Sequence, residues 1–140
     1  MVMEQLAVEI VGLCREYGEC RVEVERTEEA RRVKNALESV CAMARQRLDI
    51  SDPALLLALL DACEVTRDEG MLQEVLDVVG RNLDRLAVSA ESVKLLACCY
   101  YYVEEEECVE RAGRMLEELR KMGRGEEELA DVETILEELT

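Results

Sequence analysis

Between Ser51 and Met122 the chain sets out one arrangement twice. A short apolar helix opening at Asp52-Pro53, an acidic hinge and a longer amphipathic helix come first. About 37 residues on, the same three parts return from Ser89. One helix pair cannot bury its own apolar face, so a recurring pair needs neighbours of its own kind. The expected fold is all-α, with antiparallel helix pairs stacked as a short right-handed solenoid or helical bundle of about seven helices.

The residues available for a core agree with this. Apolar residues make up 49% of the 140, yet Phe and Trp are absent and only four Tyr occur. Leu, Val, Ala, Met and Cys must therefore fill the interior, and such side chains suit helix–helix seams. One Pro and seven Gly fit long helices with short connections. The length suggests a single domain, residues 1–140.

Periodicity then divides the chain. Leu6, Ile10, Leu13, Cys14 and Tyr17 share a helix face, and Gly18 is a plausible stop. Residues 18–26 are irregular. Cys20, Val22 and Val24 alternate with Arg21, Glu23 and Glu25, a period-two pattern that signals a strand. Two readings stay open there: a linker or poorly formed helix turn, and a strand that pairs with a partner or with a second copy. A homo-oligomer through residues 19–26 is the corollary of the second.

Thr27 is placed to cap the next helix, whose stripe is Ala30, Val33, Leu37, Val40, Cys41, Ala44 and Leu48. This first pair, residues 1–50, diverges from the two repeat-like pairs of residues 51–122. Leu55, Leu56, Leu57, Leu59 and Leu60 make the helix after Pro53 apolar nearly all round, as expected for the middle of a stack. Thr66-Arg67-Asp68-Glu69 has the capping-box pattern, opening a helix that carries Leu72 to Leu86. Gly80 on that helix either weakens it or permits close approach of a neighbour. Ser89 caps a helix through Val103, and its partner bears Cys108, Ala112, Met115, Leu116, Leu119 and Met122. Residues 126–139 read as a polar-backed capping helix.

Spacing of this kind resembles the helical-repeat superfamilies, the tetratricopeptide, HEAT and armadillo arrays. Leu96, Ala97 and Tyr100 stand where the tetratricopeptide pattern places its small residue and Tyr. The chain departs from that pattern in having no Phe and no closing Pro, so no functional residue carries over. What the resemblance implies is recognition of a protein partner on a concave face.

Charge narrows the partners. Asp and Glu number 33 against 17 Lys and Arg, a formal charge of −16. Much of this is the solvated side of many helices. The rest favours a basic protein partner and disfavours direct contact with nucleic acid or an anionic membrane. No run reaches the roughly 18 apolar residues of a membrane span. Seven Cys, with no C-x-x-C and no His, read as reduced thiols buried in a cytoplasmic protein.

Chemistry is hard to find. Without His there is no Ser–His or Cys–His couple and no carboxylate–His metal site. Glu104 to Glu107 point in different directions on a helix and cannot converge on a cation. Cys98 and Cys99 diverge, and acidic surroundings oppose a reactive thiolate. No catalytic residue, metal or cofactor is assigned, and the chain is expected not to be an enzyme. The candidate partner-binding residues are Tyr100, Tyr101, Glu104 and Glu105, with Tyr101 pointing away from its two neighbours. The expected role is a protein–protein interaction module or scaffold subunit whose acidic helical surface receives a basic peptide or partner. The alternative is a structural helical subunit of a ribonucleoprotein or multi-subunit enzyme assembly.

Overall fold

The computed structural model describes residues 3–22, 26–123 and 126–139. Among them are seven α-helices and no strand. These are α1 (Met3–Arg21), α2 (Thr27–Arg45), α3 (Pro53–Thr66), α4 (Glu69–Arg81), α5 (Ala90–Val103), α6 (Glu106–Lys121) and α7 (Glu126–Leu139).

They form two layers. In one row α1 lies beside α3, α3 beside α5 and α5 beside α7. Across it, α2 touches α1 and α3, α4 touches α3 and α5, and α6 touches α5 and α7. No extensive contact joins the first and last helices of the row among the described residues.

Local chemistry explains the helix starts. Asp52 accepts the Leu55 amide at 3.1 Å, and Pro53 occupies the first turn, where no amide hydrogen is needed. Ser89 caps α5 by accepting the Ser92 amide at 3.1 Å. The hydroxyls of Ser89 and Ser92 meet at 2.9 Å, which satisfies the buried side chain of Ser92. Between these caps α3 buries Leu55, Leu56, Leu59 and Leu60, as its all-round apolar sequence requires. Each such side chain contributes roughly 1.5–3 kcal/mol on leaving water.

Several boundaries differ from the sequence expectation. Helix α1 passes through Gly18 and ends at Arg21, so Glu19 and Cys20 are helical rather than extended. Cys20 continues the buried stripe of Leu6, Ile10 and Cys14, while Val22 is 76% exposed. Helical burial thus outweighs the alternating pattern. Residues 23–25 lie outside the described residues, and pairing through 19–26 loses the strand it needed at its start.

Thr27 is the first residue of α2, with Arg26 in the capping position. α2 stops at Arg45, so Leu48 lies beyond it. The Thr66 capping box does not form either. α3 runs on to Thr66, whose hydroxyl donates back to the Ala62 carbonyl at 2.7 Å. Asp68 takes over the cap, accepting the Met71 amide at 3.0 Å. α4 ends at Arg81, short of Leu86, and a 3-10 turn at Leu83–Arg85 carries the buried Leu86 inward. Gly80 is exposed with open space around it, so no neighbour approaches closely there.

Buried positions recur at the 37-residue spacing beyond the two pairs, into α7. Ala58, Leu95 and Val132 are separated by the repeat offset and all are buried, as are Ala62, Cys99 and Leu136. α7 therefore keeps the register of α3 and α5. Ala130, Asp131, Thr134 and Glu137 are exposed on it.

Candidate groove on the odd-numbered helices

Where α3, α5 and α7 lie side by side, their common face holds a groove of about 270 Å³. Two helix positions line it, each supplied three times. Asp61, Cys98 and Ile135 recur at the repeat offset, and so do Glu64, Tyr101 and Glu138. Residues spaced three apart share a helix face, so stacking in register aligns the six side chains into two short rows. Leu60 and Ala97 supply an apolar floor, and Tyr102 closes the side.

Tyr101 is 71% exposed, whereas Tyr100 and Tyr102 are half-buried and pack on the core. The rings of Tyr101 and Tyr102 meet edge to face, with centroids 5.3 Å apart and planes at 86°. That contact gives the exposed ring a fixed support. Tyr101 and Tyr102 also line a second depression, which shares Glu64 and includes Cys63, Asp68, Leu72 and one cation, Arg67.

The groove is electrically one-sided. Asp61, Glu64 and Glu138 line it with no Lys or Arg beside them. None of the three carboxylates belongs to an ion pair among the described residues. Their neighbours register this. Burial, then the charge of Glu64, lifts the Asp61 carboxyl above its ordinary value. Burial lifts the Cys98 thiol, and the charges of Asp61 and Glu64 lift it further. Burial followed by Glu64 does the same to the Tyr102 hydroxyl. A negative field on an apolar floor is uncompensated by the protein itself.

Of the four residues expected at a partner surface, only Tyr101 is in the groove. Tyr100 is turned toward the core, and its carbonyl accepts the Glu104 amide at 2.8 Å. Glu104 ends α5 in a left-handed conformation, with φ of 51°. Glu105 precedes α6 and lines a different depression with Gln73 and Cys108. Asp61, Glu64, Cys98, Ile135 and Glu138 were not expected. The offset that relates them was visible in the sequence, but only their alignment across three helices makes them a site.

The thiols offer little chemistry. All seven Cys are free, and all but the half-buried Cys98 are buried. Burial, with acidic Asp61 behind it, pushes the Cys14 thiol up to about 11. Burial, with neighbouring thiol or carboxylate charge behind it, pushes Cys41 and Cys63 up to about 12. Such thiols stay protonated and poorly nucleophilic at neutral pH. Among the described residues no group of three His, Cys, Asp or Glu is arranged to hold a metal ion, and no helix is long and apolar enough to cross a membrane. Compared with protein-family models, curated proteins and solved structures, the chain matches none.

Proposed function

We propose that the chain is a non-enzymatic protein-interaction module whose partner is a basic peptide or the basic face of a protein. The observation that carries this reading is the groove between α3, α5 and α7, where three carboxylates without an ion-pair partner surround an apolar floor and the exposed ring of Tyr101. Exposed aromatic area is stabilised when it is covered, and carboxylates that repel one another, as Asp61 and Glu64 do, are stabilised by a cation placed beside them. The net charge of −16 supports it from longer range, since it draws basic partners inward and speeds encounter. The raised thiols and the lack of His support a role without catalysis.

An array of short peptides of graded charge, probed with labelled protein at low and high salt, tests it. Basic peptides are expected to bind and to weaken as salt rises. Binding that ignores peptide charge, or no binding to basic peptides at all, overturns it.

A further inference from the structure

We propose that the α3–α5–α7 groove is a socket for one arginine or lysine side chain of a linear partner segment, read at the two aligned helix positions. The inference rests on the function proposed above and names what the groove itself grips. Three observations converge. The volume, about 270 Å³, falls at or below the roughly 300–1,000 Å³ typical of small-molecule sites, and so suits a side chain better than a cofactor. Its floor, Leu60 and Ala97 with Ile135, matches an aliphatic stem. Its charged members are Asp61 and Glu64 on α3 and Glu138 on α7, so a guanidinium or ammonium head meets a carboxylate on either side of α5.

Tyr101 supplies the remaining contact. It projects from α5, the middle helix of the three, and its ring is held by the edge-to-face contact with Tyr102. An aromatic face between flanking carboxylates is an arrangement that stabilises a cation through its quadrupole as well as by ion pairing. A neutral or acidic segment gains neither. The second depression, which Tyr101 and Tyr102 also line, then lies where the next residues of the same segment pass.

The test uses the full chain and a fluorescent octapeptide of alternating arginine and glycine, followed by anisotropy. Asp61→Asn with Glu64→Gln removes two charges inside the groove. Glu106→Gln with Glu107→Gln removes two from the exposed start of α6. The groove pair is expected to weaken binding about tenfold, and the α6 pair less than about twofold, as expected for distant screened charges. Tyr101→Ala is expected to weaken it about three- to tenfold, with Tyr101→Phe close to the parent.

Equal losses from the two charge pairs would mean diffuse attraction, which overturns the socket and leaves the function standing. Failure of the parent chain to bind the arginine peptide, or equal binding of a glutamate–glycine peptide, removes both. Sedimentation without peptide gives the third arm. Self-association abolished by the groove pair would show that a second copy of this chain fills the groove, and would overturn the inference.

Discussion

Arg67 and Glu104 are the two non-glycine residues with left-handed backbone among the described residues, with φ of 59° and 51°. They stand one repeat apart. Each follows the first helix of its unit, and each is followed by the residue that begins the second, Asp68 and Glu105. The turn between the helices of a pair is therefore one backbone device used twice. It is a device that normally selects glycine, because a Cβ costs about 1–2 kcal/mol in that conformation.

Replacing either residue by glycine should relieve that cost, offset in part by the greater freedom glycine has when unfolded. A net gain of about 0.5–1 kcal/mol is expected for Arg67→Gly and separately for Glu104→Gly. The two turns belong to different helix pairs and share no hydrogen bond among the described residues, so the double variant should show about the sum. Chemical denaturation of the two singles and the double measures this, and a loss of stability in either single refutes the shared turn.

The two turns differ in their next residue. Asp68 caps α4 through its carboxylate, whereas Glu105, in a similar extended conformation, makes no capping bond to α6. The glutamate is one methylene too long for the geometry that Asp68 achieves. Glu105→Asp keeps the charge and should supply the missing bond, raising stability by about 1 kcal/mol. A thermal melt at neutral pH distinguishes this from a neutral outcome.

These comparisons show which parts of the architecture a sequence discloses. Asp52-Pro53 and Ser89 announced α3 and α5 because a cap and a helical period agree at those places. The outward position of Tyr101 followed from the packing of Tyr100 and Tyr102, since consecutive helical residues diverge. Thr66 misled because the end of one helix and the start of the next compete for the same polar residues. How far α3 propagates, a matter of packing, decides between Thr66 and Asp68. Cys20 misled because its alternating neighbourhood is a local signal, while its burial against the α1 stripe is tertiary. The groove lay in the repeat offset all along. Recognising it required knowing that α7 keeps the register of α5, which the acidic surface of α7 conceals.

Neighbouring helices of the even-numbered layer are also clamped by charge. Arg45 at the end of α2 reaches across to α4, where its guanidinium grips both oxygens of Glu74, with Nε to Oε2 at 3.0 Å, and approaches Asp68 at 3.6 Å. The hydrogen bonds from Arg45 hold the Glu74 carboxyl below its ordinary value. A carboxyl lowered in the folded state stabilises above its unfolded pKa and loses that contribution as pH falls through the folded value. Glu74→Gln should therefore melt below the parent at neutral pH. The gap should narrow as pH falls below the ordinary carboxylate range and through the lowered folded value, where the parent's own carboxylate is protonated. Because both partners are partly solvent-exposed, added salt should also narrow it. A gap that persists in acid and in salt would show that Glu74 acts through packing instead.

Asp61 should behave in the opposite sense. Its side chain is exposed at the groove, yet partial desolvation and the charge of Glu64 raise its carboxyl, so ionising it opposes folding weakly. Stability from this group is recovered as pH falls through its raised folded value, and is missing above it. Asp61→Asn removes the charge while keeping the shape, and should melt slightly above the parent at pH 7, with the advantage fading as pH falls through the raised folded value. The same substitution takes away one of the carboxylates that a basic side chain would meet in the groove. The more stable variant is thus expected to be the weaker binder, since a charge that costs folding energy in the free chain is retained where a partner neutralises it. Melting curves from pH 4 to 8, with and without the arginine peptide, decide it. Peptide should raise the melting temperature of the parent above that of Asp61→Asn, and an asparagine variant that stays ahead in both conditions would leave Asp61 without a reason to be charged.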